Sequence, residues 1–239
     1  MPRIKVKRDD IPTTDEWLHI LDLAAILDYS RAWQVPPFKL WFQGLIALDW
    51  LFGKRIHELL KLRRKDLWFE RRLLHVLFHV GKKKAKTAKI EWIPYLKVKT
   101  SRHKAIPFLR AYLKEFDAQI KNKESYLFPA QTSPKQIQVR TKFLNKAGEQ
   151  EQKQYSYARV GGHVLQETAR YWLDKINRQL PPGQRIWFHL GRHAIGTRMA
   201  RKRKSAIQIA EVLDVTERTA LVYTRHAAGV GEEWVKETE

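Results

Sequence analysis

The stretch PPFKLWFQGLIALDWLFG, residues 36–53, constrains the fold more than any other part of the chain. Its two prolines suit the entry to a helix, and Gly53 suits the end of one. Between them, apolar residues occur on all sides of the helix that the stretch would form, and such a helix is stable only when it is buried. We therefore predict a helix at the centre of a hydrophobic core.

The remaining segments predict further helices and one small sheet. TTDE has the Thr-x-x-Glu form of a capping box and indicates a helix after Thr13, IHELLKLRRKDL continues helically, and the apolar spacing over 164–176 indicates another helix. Segments rich in branched and aromatic residues predict antiparallel strands, and these are LLHVLFHVGKKK, KIEWIPYLKV and HKAIPF. The polar stretch 141–153 predicts a loop. The expected fold class is α+β, mainly helical, with a single domain over residues 1–239.

The charge of the chain points to a polyanionic partner. It has 46 Lys and Arg against 25 Asp and Glu in 239 residues, a formal net charge of +21. Such a field attracts polyanions, of which nucleic acid is the leading one. A membrane is not expected as a partner, because the chain lacks an apolar run of roughly eighteen residues and its N-terminal MPRIKVKRDD lacks the apolar region of a signal peptide. We expect a cytoplasmic protein.

The residue types available for chemistry are limited. The chain has no cysteine, which excludes disulfides, thiolate zinc sites and cysteine nucleophiles. His189 and His193 have the i, i+4 spacing of zinc ligands, but no glutamate follows His189 as in the HExxH motif and no third ligand is evident. We therefore expect no metal.

Four segments stand out, in the order GKRIHELLKLRRKDL, KTSRHKAIPF, HLGRH and VYTRH. Each has an ordinary explanation when it is taken alone. Arg55 and Glu58 have the spacing of an ion pair on a helix surface, Lys99 is one basic residue among many, and Tyr223 is one of eight tyrosines. Their order along the chain is what favours a shared function.

Together the four segments resemble, in order and spacing, the catalytic domain of the tyrosine recombinases, the phage integrase family. The resemblance runs from Thr13 to His226 and implies the catalytic-domain fold of that family. It implies five catalytic residues, with the tyrosine as nucleophile: Arg55, Lys99, His189, Arg192 and Tyr223. It also implies three supporting residues: Glu58, Asp66 and His193.

Two positions depart from the family pattern. Gly191 stands where the family usually has the leucine of His-x-Leu-Arg-His. Some eight or nine residues before the tyrosine the family usually has Gly-His or Gly-Trp, whereas this chain has Asp214 and Val215. Either His226 or another side chain fills this role, or the phosphate clamp has one hydrogen bond fewer.

The resemblance implies a site-specific DNA recombinase or integrase, as found in mobile genetic elements, that works through a 3′-phosphotyrosine without metal, ATP or another cofactor. The residue types suit this chemistry. Two arginines carry planar forks for phosphate oxygens, Lys99 suits a general acid, and His189 titrates near neutrality. Two alternatives stay open: a type IB-like topoisomerase activity, and a DNA-binding protein of the same fold that no longer cleaves.

The implied partner is double-stranded DNA, and the implied location is the nucleoid. We expect a monomer when free and a homotetramer on DNA, assembled through the tail after Tyr223. The family resemblance already begins at Thr13, so we expect no N-terminal core-binding domain, and the chain is interpreted as a minimal recombinase or a fragment. For the run at 201–204 a solvated charge cluster is an equal alternative. The candidate DNA contacts are Arg63, Arg102, Lys104, Arg201, Lys202, Arg203 and Lys204.

Overall fold

The computed structural model describes residues 11–29, 38–78, 80–81, 91–92, 95–100, 103–130, 137–144, 150–157 and 162–228. The α-helices in these ranges are α1 (Thr14–Ile26), α2 (Trp41–Phe52), α3 (Ile56–Leu60), α4 (Ile106–Gln119), α5 (Gln166–Asn177), α6 (Leu190–Arg201), α7 (Ala206–Leu213) and α8 (Glu217–Ala228). The strands are β1 (Leu67–Glu70), β2 (Leu73–Leu77), β3 (Val80–Gly81), β4 (Glu91–Trp92), β5 (Tyr95–Lys99), β6 (Ile137–Leu144) and β7 (Gln150–Tyr157).

Helix α2 forms the centre of the core, as its composition predicts. Every residue from Trp41 to Phe52 is buried. On one side Trp50 stacks on Trp17 of α1, with ring centroids 5.6 Å apart. On another side Gly44 lies so close to Tyr112 of α4 that a β-carbon would come within 2.6 Å of the ring. Burial on all sides is what stabilises a helix with this little polar surface.

Helix ends follow the predicted capping signals. The capping box at the start of α1 is present, because the Thr13 hydroxyl accepts a hydrogen bond from the Glu16 backbone N–H at 3.2 Å and the Glu16 carboxylate accepts one from Thr13 N–H at 2.7 Å. Helix α2 ends at Gly53, whose φ of 54° lies in the left-handed region that glycine adopts without strain. The next helix begins only three residues later.

The main sheet is antiparallel, with the strand order β1-β2-β5. Leu67 of β1 pairs with Val76 of β2, and Leu73 of β2 pairs with Lys99 of β5. Leu67 and Val76 are fully buried against the helical core. The register places Lys99 at the end of its strand, beside the turn that joins β1 to β2. Two separate two-stranded ribbons, β3-β4 and β6-β7, accompany this sheet.

Two of the local predictions are wrong, and the helical prediction for IHELLKLRRKDL holds only in part, because α3 ends at Leu60 and Leu67 begins β1. HKAIPF is not a strand: helix α4 begins at Ile106 with Pro107 in its first turn, where the missing N–H of proline costs no helical hydrogen bond. The described parts of the stretch 141–153 are not a loop, since 141–144 belong to β6 and 150–153 to β7. Ile137, Val139 and Phe143 alternate with the period of a strand, but Ile137 and Val139 lie before residue 141, so the stretch 141–153 alone does not show this pattern.

Helices α6, α7 and α8 enclose a second, smaller hydrophobic cluster, whose buried members are Ile209, Leu213, Ala220 and Tyr223. Helix α6 also packs directly on α2. A β-carbon on Gly191 would lie 2.8 Å from the carbonyl carbon of Asp49, so the two helices touch through their backbones. This contact explains why the family's leucine is absent here: no side chain fits between the helices.

Within the described ranges, no helix has the length and apolar composition needed to cross a membrane.

Because α2 and α6 touch through their backbones, adding a single methyl group at Gly191 should destabilise the folded protein. We expect Gly191→Ala to lower the free energy of unfolding by about 1–3 kcal/mol, because the obstacle is backbone that cannot rotate away. Gly183→Ala is the matched control, since a β-carbon there has no neighbour within 4 Å. Urea unfolding followed by tryptophan fluorescence measures both, and equal stability of the two variants would contradict the packing.

Candidate active site

A short turn between α2 and α3 places the first arginine. This segment, Gly53–Arg55, is called the arginine turn below. Arg55 precedes the first residue of α3, and its backbone N–H donates to the Glu58 carboxylate at 2.9 Å while its Nη1 donates to the other carboxylate oxygen at 2.8 Å. The side chain of Arg55 is 35% exposed, so one edge of the guanidinium remains open to the solvent.

Glu58 lies between two arginines. Its side chain is 1% exposed, and Arg192 Nη2 lies 3.8 Å from the carboxylate oxygen that accepts from Arg55 N–H. Arg192 comes from the first turn of α6, and its Nε donates to the Gly53 carbonyl at 3.0 Å. One buried carboxylate therefore joins the arginine turn and α3 to α6, which lies far from them in the sequence.

Arg192 is as deeply buried as Glu58, with a side chain 1% exposed. Burial lowers the pKa of its guanidinium, and the positive charge of Arg55 lowers it further, whereas Glu58 raises it. Within the described part of the chain, Nη2 of Arg192 has no hydrogen-bond partner. A buried donor without a partner is costly, and this one is available to an anion that enters the cleft.

His189 and His193 lie one helical turn apart at the start of α6. Their ring centroids are 6.3 Å apart. Partial desolvation is the main cause that lowers the pKa of His189, and the positive charges of Arg192, His193 and Arg55 lower it further. The negative charge of Glu58 acts in the opposite direction. His189 is consequently neutral at pH 7 and able to accept a proton. His193 lies edge-on against Tyr223, with centroids 5.5 Å apart.

Tyr223 lies on α8 and faces the two arginines. The residue is 4% exposed, and its ring packs over Gly196 of α6, where a β-carbon would come within 2.7 Å of the ring. Burial raises the pKa of the Tyr223 hydroxyl, while the positive charges of Arg192 and Arg55 lower it. Burial therefore opposes deprotonation of this hydroxyl, and the cations that would hold a phosphate partly offset this effect.

One cleft of about 370 Å³ collects these groups. Its lining consists of Arg55, His189, Arg192, His193, Val215, Thr216, Thr219, Val222 and Tyr223. Of the five predicted catalytic residues, four meet here although they come from the arginine turn, α6 and α8. Lys99 is the exception, since it is exposed at the end of β5 and is not part of the lining.

The other predicted residues lie further out. Asp66 is buried, and its carboxylate accepts from the backbone N–H of Arg63 at 2.9 Å, so it caps the 3₁₀ turn at Arg64–Asp66. Arg63 is paired with Glu124 at 2.9 Å and lies over the ring of Tyr126. Lys104 and the run at 201–204 are exposed, whereas Arg102 lies outside the described residues.

The sequence predicts no role for two charged residues next to the cleft, Lys54 and Asp214, and does not single out Thr216, Thr219 and Val222 of its lining. Lys54, inside the arginine turn, is fully buried, and its ammonium donates to the carbonyl of Val212 at 3.0 Å. Asp214 follows the end of α7 in a left-handed conformation (φ 52°) and accepts from Arg55 through its own carbonyl at 3.2 Å and its carboxylate at 3.5 Å. Lys54 carried no signal of its own beyond its place next to Arg55.

The segment Val212–Thr216, called the corner below, joins α7 to α8 and contains the departure from the family pattern. Val215 lines the cleft with an apolar side chain that cannot donate to a phosphate. The hydroxyl of Thr216, also in the lining, is 2.9 Å from that of Thr219. The side chain of His226 lies outside the described part of the structure, so its predicted substitution for the missing group stays a prediction.

Among the described residues, no group of three or more His, Asp or Glu side chains is arranged to hold a metal ion.

The family model described as the phage integrase family matches residues 16–228. The chain belongs to the phage integrase family. The resemblance to the tyrosine recombinases that the four segments indicate is thereby confirmed. Comparison with curated proteins gives no match.

Solved structures share the fold. The XerH site-specific recombinase bound to palindromic difH substrate, in its post-cleavage complex, gives a TM-score of 0.60 at 19% identity over 96% of this chain and 53% of that chain. The XerH pre-cleavage complex gives 0.57 at 19% identity over the same shares. The XerA recombinase gives 0.50 at 14% identity, covering 100% of this chain and 67% of that one. The predicted mainly helical α+β fold with a small antiparallel sheet is confirmed, and the chain spans about half the length of XerH.

The position of Glu58 predicts a large effect of its charge on stability. We expect Glu58→Gln to lower the free energy of unfolding by about 3 kcal/mol or more, because two arginines then lack their shared buried counter-charge. Asp117→Asn is the matched control: this carboxylate pairs with Arg64 at 2.7 Å but is 47% exposed, and its loss should cost at most about 1 kcal/mol. Urea unfolding at pH 7 compares the two, and similar losses would refute the central role of Glu58.

Proposed function

We propose that the chain is the catalytic part of a site-specific DNA recombinase that cleaves and rejoins strands through Tyr223. One observation carries this proposal: a single cleft gathers Arg55, Arg192, His189 and Tyr223. These groups supply a nucleophile, fixed positive charge and a proton acceptor, which metal-independent cleavage of a phosphodiester requires.

The cleavage step begins at the tyrosine hydroxyl. Tyr223 Oη attacks the phosphorus atom, a new P–O bond forms, and the bond from phosphorus to the 5′-oxygen breaks. The tyrosine proton passes to a base, and we assign this role to His189, whose lowered pKa leaves the imidazole unprotonated and free to accept a proton. The product is a 3′-phosphotyrosine, which retains the energy of the bond. Attack by the 5′-hydroxyl of another strand reverses the step and exchanges the strands.

Two further groups complete the chemistry. The two arginines donate to the nonbridging oxygens as negative charge develops there, and their attachment to Glu58 and Gly53 holds them in place beforehand. The departing 5′-oxygen needs a proton, and Lys99 is the residue we assign to this role. Because Lys99 lies at the end of β5 and outside the cleft lining, the assignment requires the strand end to approach the bound DNA.

Double-stranded DNA is the substrate that the charge supports. The chain has a net charge of +21, and the run at 201–204 is exposed between α6 and α7. The solved XerH structures hold a difH substrate before and after cleavage. We propose that binding rests mainly on phosphate contacts, which weaken steeply with salt. Assembly of a tetramer on two sites through the tail after Tyr223 belongs to the same proposal, and residues 229–239 of that tail lie outside the described residues.

The first test of the function concerns the nucleophile. We expect Tyr223→Phe to bind a duplex as tightly as the wild type but to form no covalent complex with a nicked suicide substrate, because only the hydroxyl is removed. The reaction is run in EDTA, which should leave the wild-type rate unchanged. Denaturing gels detect the covalent product.

The outcomes separate the alternatives. A covalent complex that persists in Tyr223→Phe would move the nucleophile to another tyrosine, and Tyr157 would be changed next. A wild type that binds but never becomes attached would favour a DNA-binding protein of this fold, for which apolar Val215 in the cleft is the supporting observation. Relaxation of supercoiled DNA without exchange between two duplexes would favour topoisomerase activity.

The second test concerns the proton for the leaving group. We expect Lys99→Ala to slow cleavage by about a hundredfold, within the range for the loss of a general acid. A substrate with sulfur in place of the 5′-bridging oxygen should restore most of the rate, because a thiolate leaves without a proton. Lys97→Ala, two positions earlier on the same strand, is the control. Failure of the sulfur substrate to rescue Lys99→Ala would exclude Lys99 as the acid.

A further inference from the structure

Lys54 is a buried cation to which the proposed cleavage chemistry gives no task. It is fully buried inside the arginine turn, so it cannot reach a phosphate in the cleft. Its ammonium donates to the Val212 carbonyl at 3.0 Å, and the ring of Phe78 lies 5.5 Å from it. Burying an ammonium costs more than burying an apolar side chain of the same length, so this contact is not explained by stability alone.

The contact joins two segments that both carry active-site groups. Lys54 and Arg55 are neighbours in the arginine turn, and they bind the carbonyls of Val212 and Asp214 at 3.0 and 3.2 Å. The corner is therefore held at two points, by Lys54 outside the cleft lining and by Arg55 within it. Helix α8, which carries Tyr223, begins directly after the corner.

The Val212 carbonyl lies in the last turn of α7, where carbonyl groups lack partners within their own helix. A lysine ammonium is a favourable partner there, because it also meets the negative end of the helix dipole. Lys54 thus fixes the end of α7 from a distant part of the chain, and the position of the corner depends on it.

We propose that Lys54 is a positioning residue, whose buried ammonium ties the arginine turn to the corner and thereby sets Tyr223 of α8 against Arg55 and Arg192. It acts through Val212 and does not touch the substrate. The inference about cleavage rests on the proposed function, whereas the tie itself is a property of the fold.

The charges around Lys54 make the tie sensitive to pH. Burial lowers the pKa of Lys54 to about 8, Arg192 and Arg55 lower it as well, and Glu58 and Asp214 raise it. Below that pH the ammonium donates a charge-assisted hydrogen bond, and above it the neutral amine binds the carbonyl more weakly. The contribution of Lys54 to cleavage should therefore be present at pH 7 and lost as the pH rises through about 8.

The test replaces Lys54 by methionine, which keeps the length of the side chain and removes its charge. We expect single-turnover cleavage of a suicide duplex at saturating DNA to be at least tenfold slower in Lys54→Met than in the wild type at pH 7. The ratio of the two rates should fall towards one above pH 9, since groups common to both proteins cancel in it. Lys121→Met is the matched control, because Lys121 donates to the carbonyl of Asp117 near the end of α4 at 2.9 Å but is exposed.

A second readout does not depend on cleavage. The backbone N–H of Val215 donates to the Ala210 carbonyl at 3.1 Å, so amide hydrogen exchange of peptides over 208–219 reports on the corner. We expect exchange there to be at least tenfold faster in Lys54→Met and unchanged in Lys121→Met, with urea unfolding showing that both variants are folded. If wild-type protein never attaches to DNA, the proposed function fails, and this exchange experiment still decides whether the tie exists.

Three results would overturn the role of Lys54. The first is a cleavage rate in Lys54→Met within threefold of the wild type at pH 7. The second is a rate ratio that does not change between pH 7 and 9. The third is unchanged hydrogen exchange at the corner.

Discussion

The carboxylate of Glu58 is the group on which the arrangement of the cleft depends. It is buried between Arg55 and Arg192, and each arginine is also bound to a backbone carbonyl, of Asp214 and Gly53 respectively. Two like charges brought this close repel each other, and burial strengthens the repulsion because little water screens it. The negative charge of Glu58 between them attracts both arginines and offsets their repulsion. The arginine turn, α3 and α6 therefore take one relative position.

The compensation of charge beneath the cleft is incomplete. The cations Lys54, Arg55 and Arg192 face the two carboxylates of Glu58 and Asp214, so one positive charge is in excess. Asp49 is a poor source of further negative charge, since complete burial raises the pKa of its carboxyl well above the usual range. An excess of fixed donors is what a cleft needs if it is to stabilise a phosphate as charge develops, because the donors do not have to reorganise during the reaction.

The parts that the sequence predicts well are those decided by local pattern. The burial of α2 follows from apolar residues on all its faces, and the start of α1 from its capping box. Two predictions failed because short patterns are ambiguous. Pro107 suits a strand end as well as a first helical turn. The polar stretch 141–153 contains only the ends of β6 and β7, so the alternation of a strand is not visible within it. The order of the four segments led to the residues of the cleft. Lys54 and Asp214 could not be found this way, because their roles arise from a contact between segments about 160 residues apart.

The departure from the family pattern at the corner lies in contact with the arginine turn. Asp214 adopts the left-handed conformation, which suits the glycine usual at that position, and unlike glycine it brings a carboxylate that reaches Arg55. Val215 next to it brings no donor to the cleft. Lys54 binds the same corner through the Val212 carbonyl, and its positive charge is stabilised in part by Asp214. The corner thus brings no side-chain donor to the cleft at Val215, while Asp214 and Lys54 fix it to the arginine turn, so these residues determine how the helix that carries Tyr223 is held.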